Sequence, residues 1–172
     1  MSDRPAALAR PCLVRAADHA AVPGGYQFSH PFNPASLVQG LPLSRATGLA
    51  RTAVTLFRVP PGHDSFAYHC HYAEEEWVYV LAGRGVAVLD GVEHEVGPGD
   101  FMGFPTPSIA HLLKNPYADE LVYLAGGEIR ACEVADFPHA GKRIVRAGDA
   151  LAVHELADAT GFGPFPTLTP PR

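Results

Sequence analysis

Between Thr52 and Ala125 a turn signal cuts the sequence about every ten residues. Thr52–Val59 (TAVTLFRV) ends at Pro60-Pro61-Gly62, and Glu76–Leu81 (EWVYVL) ends at Ala82-Gly83. Gly85–Leu89 (GVAVL) ends at Asp90-Gly91, a dipeptide suited to a type I′ hairpin. Val92–Val96 follows and stops at Gly97-Pro98-Gly99-Asp100. Ser65–Tyr72, Phe101–Phe104, Ile109–Leu113 and Leu121–Ala125 read as further strands, with Ile144–Val145 and Leu151–His154 as two more. Short β-branched and aromatic runs at this spacing predict an all-β chain, an antiparallel sandwich or barrel. No segment longer than a turn or two reads as a helix, because Pro5, Pro11 and Pro23 interrupt the alanine-rich Ala6–Ala9 and Ala16–Ala21.

The chain's 172 residues suffice for one domain and are few for two. Residues 1–50 are poorly periodic and read as an N-terminal arm and edge strand. Residues 51–126 form the barrel core, and 127–172 supply C-terminal strands and an arm that ends in GFGPFPTLTPPR. Arg130–Arg146 is expected over the outside or edge of the barrel. The formal charge of −5 and the lack of any basic run argue against nucleic acid or an anionic membrane as partner. Three widely spaced cysteines argue against a disulfide framework. The start MSDRPAALARP has no long apolar core, so a cytoplasmic location is expected.

The stretch PGHDSFAYHCHYAEEEWVYVLAG, Pro61 to Gly83, sets charged and imidazole groups against an apolar strand. Burying such groups is costly unless they are paired or bind a metal. On a strand, residues i and i+2 share a face, so His69 and His71 point together with Ser65 and Ala67, and Cys70 points away. A hairpin turn at Tyr72–Glu75 would bring Glu76 alongside the histidines. Two imidazoles and a carboxylate make ligands for a divalent transition metal, with His111 as the fourth candidate. The bland alternatives are an exposed histidine pair, a solvated Glu74–Glu75 turn with Glu75 as the substitute ligand, and a core histidine at 111.

The same residues resemble the cupin family. Gly62, His69-Cys70-His71, Glu76 and Gly83 follow its first motif, with one extra residue after the first glycine. Gly99, Pro105, His111 and Asn115 follow its second, except that Pro107 stands where glycine is usual and three residues rather than two precede His111. The resemblance implies a jelly-roll barrel with extended arms, frequently a homodimer. It also implies one divalent transition metal (Fe, Mn, Ni, Co, Cu or Zn) on His69, His71, Glu76 and His111.

By alternation Val78, Val80, Phe104 or Met102, Leu113 and Phe57 face the metal, while Tyr68, Trp77 and Tyr79 face away; His94 is open. An apolar lining without inward Arg or Lys favours a small organic molecule over a phosphorylated sugar. The leading expectation is therefore a dioxygenase-like, metal-dependent oxidoreductase. The alternatives are an isomerase or lyase using the metal as a Lewis acid, and a non-catalytic binding protein. His139 is expected in a surface turn, and Gly126-Gly127 in a turn or bulge.

Overall fold

The computed structural model describes residues 11–158; the expected C-terminal proline-rich arm and Ala6–Ala9 lie outside the described residues. The strands are β1 (Tyr26–Phe28), β2 (Val38–Pro42), β3 (Thr52–Val59), β4 (His63–Asp64), β5 (Cys70–His71), β6 (Glu76–Ala82) and β7 (Gly85–Leu89). They continue with β8 (Val92–Val96), β9 (Phe101–Phe104), β10 (His111–Asn115), β11 (Leu121–Glu128), β12 (Cys132–Phe137), β13 (Lys142–Ala147) and β14 (Ala150–Glu155). Every strand ladder is antiparallel. Three sheets result, in the orders β1-β2-β3-β11-β6-β9, β4-β10-β7-β8 and β14-β13-β12-β5. This is the all-β, antiparallel architecture that the turn spacing predicts, and it is consistent with the jelly-roll barrel that the resemblance implies.

Alternation builds the core. Phe57 and Val59 of β3, Val78 and Val80 of β6, Met102 and Phe104 of β9, and Tyr123 and Ala125 of β11 all face one interior with Leu113 of β10. Each large apolar side chain removed from water there contributes roughly 1.5–3 kcal/mol. The Asp90-Gly91 turn joins β7 to β8 with both residues at positive φ, 48° and 79°, as a type I′ turn requires. Gly83 is needed twice over: its φ is 74°, and a Cβ there would lie 2.1 Å from the Glu120 carbonyl oxygen.

Four expectations need correction. First, residues 1–50 supply more than an arm and an edge strand: β1 and β2 pair with each other and extend the six-stranded sheet, and Leu43–Thr47 forms one turn of α-helix. Second, Ser65–Tyr72 is not one strand; only Cys70–His71 joins a ladder, to Ala135 and Asp136 of β12. Third, Tyr72–Glu75 is no hairpin, because β6 pairs with β11 and β9 and not with β5. Fourth, Gly126 and Gly127 lie within β11, not in a turn or bulge. They are glycines because a Cβ at Gly126 would meet the Trp77 ring at 2.3 Å, and one at Gly127 the Glu75 carbonyl oxygen at 2.5 Å.

Candidate metal centre

The histidines are brought together by backbone pairing. The His111 N–H donates to the His69 carbonyl at 2.8 Å, and the His69 N–H to the His111 carbonyl at 3.1 Å. This reciprocal bridge sets the two rings 4.5 Å apart. The strand expected over Ile109–Leu113 begins only at His111. The residues before it instead grip His71: the Ser108 hydroxyl accepts the His71 N–H at 2.8 Å, and the Ser108 N–H donates to the His71 carbonyl at 2.8 Å. The His71 ring thus lies 4.8 Å from that of His69.

Glu76 arrives from a different sheet, at the first residue of β6 and opposite Phe104 of β9. The Phe104 ring stacks on His111 at 3.8 Å. His69, His71, Glu76 and His111 each offer a donor atom within 4.8 Å of the others. Nε2 of His71, His111 and His69 lies 3.1, 3.2 and 3.9 Å from Oε2 of Glu76. Glu75, the substitute considered above, is outside this group and lines the neighbouring cleft.

The proton bookkeeping of the rings fits a cation at the centre. Nδ1 of His69 faces the Ala67 carbonyl at 2.7 Å, and Nδ1 of His111 faces the Ile109 carbonyl at 3.1 Å. A neutral imidazole has one N–H, so donating it from Nδ1 leaves the Nε2 lone pair aimed inward. For His111 that lone pair meets a carboxylate oxygen, an unfavourable contact that a bound divalent metal would turn into two ligand bonds. Both ring nitrogens of His71 are buried without a hydrogen-bond partner, although Nδ1 lies 3.6 Å from Oε1 of Glu133. Three imidazoles and one carboxylate are the donor set of a borderline transition metal.

The surroundings tune these groups in opposite directions. Burial and the neighbouring His111 push the His69 imidazole down to about 3, the neutral form a ligand needs. Burial also disfavours charge on His71, but the carboxylates of Glu76, Glu133 and Glu74 outweigh it and raise its pKa. Burial pushes the Glu76 carboxyl up; the imidazoles of His111, His71 and His69 reverse this and hold it well below the usual carboxylate range. His111 is almost wholly enclosed, with 4% of its side chain exposed, whereas Glu76 keeps 26%. The centre is thus closed on the His111 side and open on the Glu76 side.

On that open side lies a cleft of about 210 Å³, lined by Ala53, Thr55 and Phe57 of β3, Ala125–Glu128 of β11, His71 and Glu74–Glu76. Val78, Val80, Met102, Phe104, Leu113 and Phe57 face the interior as expected, and both Met102 and Phe104 do so. Tyr79 faces out, Trp77 covers Gly126 and stacks on Phe101, and Tyr68 lies in a separate cluster with Val88 and Leu112. His139 stacks on Tyr68 at 4.3 Å, and His94 is exposed on β8, so neither joins the centre.

Two supporting residues escaped the sequence reading. Glu133 of β12 is buried, and its carboxylate accepts the N–H groups of Tyr72 at 3.1 Å, Ala73 at 3.4 Å and Glu74 at 2.5 Å. It holds the loop between His71 and Glu76. Its signal was a lone carboxylate in the buried alternation Glu133, Ala135, Phe137. Tyr123 borders the metal side of the core beside Ser65, His69, Glu76 and His111. Burial, then the Glu76 charge, raise its pKa far above the ordinary phenol value, so it remains an O–H donor.

With fold and donor set in place, the chain belongs to the cupin superfamily; residues 55–127 match the cupin domain family (Cupin_2). The chain is similar to a "putative sugar phosphate isomerase" from Acidithiobacillus ferrooxidans, with 31% identity and a TM-score of 0.84 over 89% of this chain and 97% of that one. It is also similar to a sugar phosphate isomerase of the cupin superfamily from Silicibacter pomeroyi, with 27% identity and a TM-score of 0.71 over 78% and 87%. A curated relative from Methanocaldococcus jannaschii, described as uncharacterized, is 40% identical over 57 residues, 33% of this chain; the match spans less than half of that relative, 44%.

Proposed function

We propose that the protein is a metal-dependent isomerase acting on a small sugar phosphate or a related hydroxy-carbonyl compound. His69, His71, Glu76 and His111 would hold the metal, which when bound supplies a Lewis acid for a carbonyl or hydroxyl oxygen. The observation that carries the reading is the convergence of three Nε2 atoms on one Glu76 oxygen beside an open cleft, in a chain that resembles two proteins described as isomerases. These likenesses favour the isomerase over the dioxygenase-like oxidoreductase, and a sugar over the non-sugar small molecule, expected from the sequence. The cleft lining holds no Arg or Lys, so a phosphate there would rest on the metal.

The chain's own groups serve such a reaction in distinct ways. The cleft admits only a small molecule, since 210 Å³ is below the usual range for ligand sites. Phe57 and Ala125 give it an apolar wall that excludes water from one side of the substrate. Aldose–ketose isomerisation takes a proton from the carbon beside the carbonyl and returns it to the former carbonyl carbon, while the hydroxyl proton passes to the former carbonyl oxygen. It needs a base at the substrate that can hold and return the carbon's proton, and a carboxylate can do so. Glu74 is engaged by Arg146 and the Arg130 N–H, and Glu128 by Arg130. Among the described residues no hydrogen bond engages the Glu75 carboxylate, which makes it the group for proton transfer at the cleft. Tyr123, kept protonated by burial, stands beside His69, Glu76 and His111 on the core side and hydrogen-bonds Ser65.

The test is to load the purified protein with single divalent metals and follow aldose–ketose interconversion of short sugars and their phosphates by NMR, with dissolved oxygen monitored in parallel. Metal-dependent interconversion without oxygen uptake is expected. Oxygen consumption with no interconversion would overturn the isomerase and restore the oxygenase.

A further inference from the structure

The segment that carries His69 leaves its ladder just before that residue. The Ser65 N–H donates to the Leu113 carbonyl at 2.8 Å, and the His69 N–H to the His111 carbonyl at 3.1 Å. Residues 66–68 therefore stand opposite Leu112 alone, as a bulge whose carbonyls find partners elsewhere. The Ala67 carbonyl faces Nδ1 of His69 at 2.7 Å, and the Phe66 carbonyl accepts a bond from Nδ2 of Asn33 at 2.7 Å.

Asn33 belongs to the connection between β1 and β2, outside the residues 55–127 that match the cupin domain. Its amide is fully used. Nδ2 also donates to Oδ2 of Asp64 at 2.9 Å, and Oδ1 accepts the Ala35 N–H at 3.1 Å. These contacts fix which way the amide points, since the flipped form would set an oxygen against two acceptors. The same connection supplies His30 and Phe32, whose rings lie 5.0 and 5.2 Å from that of Phe137. Phe137 in turn stacks on His69, with ring centres 5.7 Å apart.

We propose that Asn33 is a positioning residue for the ligand His69. By holding the Phe66 carbonyl it fixes the bulge, and with it the Ala67 carbonyl that keeps the proton on Nδ1 of His69. An imidazole so held presents the Nε2 lone pair to a metal. A carbonyl selects the tautomer only while its peptide is fixed, and residues 66–68 lie outside every strand ladder. Phe137 limits the tilt of the ring, but a ring face is the same for both tautomers, so the choice of nitrogen falls to Ala67. His111 needs no such help. Its carbonyl partner Ile109 lies between two backbone ties, Ser108 N–H to the His71 carbonyl and Asp90 N–H to the Ala110 carbonyl. The role of Asn33 belongs to the metal centre itself and does not depend on the isomerase reading.

Long-range proton–nitrogen correlation spectra of the metal-free full chain read the His69 tautomer, and competition titration with Zn(II) reads the affinity. The wild type is expected to show the Nδ1–H tautomer alone. Asn33→Asp keeps the shape of the side chain and replaces the donor with an acceptor. It should give a mixture of tautomers and weaken Zn(II) binding about tenfold or more. Exchanging the pair, Asn33→Asp with Asp64→Asn, restores a bond between the two side chains but none to the Phe66 carbonyl. It should regain stability in urea without regaining tautomer or affinity. Ser36→Ala loosens the same connection at Ser65, whose carbonyl Oγ of Ser36 reaches at 2.9 Å, and should cost stability alone. A single tautomer with wild-type affinity in Asn33→Asp overturns the proposal. If that variant misfolds, the same result in the exchanged pair overturns it. So does a shift of tautomer and affinity in Ser36→Ala as large as in Asn33→Asp, which would make general tightness of the connection the cause.

Discussion

Strands β10 and β14 have five and six residues and opposite fates. β10 (HLLKN) lies between β7 and β4, and four of its five side chains are buried. Leu113 packs in the main core, Leu112 in the cluster behind it, and Asn115 donates to the Val59 and Asp119 carbonyls. β14 (ALAVHE) pairs with β13 alone, at the edge of its sheet, and all six of its side chains are exposed. Both strands have ladder hydrogen bonds. What differs is packing on the two faces, and packing is what fixes a side chain to the precision that a ligand set demands.

The largest effect should come from breaking the buried member of this pair at its functional end. His111→Ala removes one nitrogen donor and the partner that Phe104 stacks on. Metal retained after purification, measured by elemental analysis, should fall from near stoichiometric to background. Stability should drop by about 2–3 kcal/mol from the cavity left beside Phe104. A variant that holds metal as the wild type does would remove His111 from the ligand set.

Close packing extends the comparison to β11 and to Glu133. Gly126→Ala would drive a Cβ against the Trp77 ring at 2.3 Å and the Ala53 carbonyl oxygen at 2.8 Å. The ring can yield but the strand backbone cannot, so a loss of about 2–3 kcal/mol is expected in urea unfolding. Glu133→Ala would strip three N–H groups of the 72–74 loop of their shared acceptor. That should cost about 2 kcal/mol, less than three full hydrogen bonds because water reaches the loop. Since the loop ties His71 to Glu76, metal affinity by competition titration should fall 10- to 100-fold, roughly the range for groups that orient ligands. An unchanged affinity would make Glu133 a purely structural residue.

These residues also show what the sequence could and could not disclose. Turn chemistry and alternation were readable because they are local: Asp90-Gly91 needs only its own φ angles, and Val78 and Val80 need only a period of two. The His69–His71 pair was legible for the same reason. How Glu76 reaches that pair was not, because it comes from another sheet and not through a hairpin. The glycines of β11 were misread because their cause is the Trp77 ring and the Glu75 carbonyl, 49 and 52 residues earlier in the chain as numbered. Glu133 was passed over because its partners are some sixty residues away, with |i−j| of 61, 60 and 59.

A smaller effect should appear where β12 meets β13, midway between the two extremes. Asp136 receives Arg143 through two bonds, at 2.6 and 2.8 Å, and the Tyr72 hydroxyl at 2.8 Å. Arg143 holds its carboxyl below the ordinary aspartate range; burial opposes this, and Tyr72 adds to the lowering. A carboxyl depressed in the folded state binds fewer protons there than in the unfolded chain. Its contribution is therefore complete above the unfolded pKa of about 4 and is lost as pH falls through the lower folded value. Arg143→Met should lower the melting temperature at pH 7, and the gap to wild type should close progressively below about pH 4. A gap that stays constant with pH would show that the pair adds no pH-linked stability.

The smallest effect belongs to β14 itself. Leu151→Ser and Val153→Thr change side chains that are 63% and 51% exposed, so no more than about half of either returns to water when the isolated chain unfolds. Their ladder partners, Arg146 and Ile144, keep their backbone bonds whatever stands opposite. Each change should shift stability by no more than about 1 kcal/mol, and metal content should not move. A loss of 2 kcal/mol or more would mean that β14 is covered in solution by something the single chain does not supply, roughly the cost of exposing one buried leucine. The contrast with β10 would then lie in the partner and not in the strand.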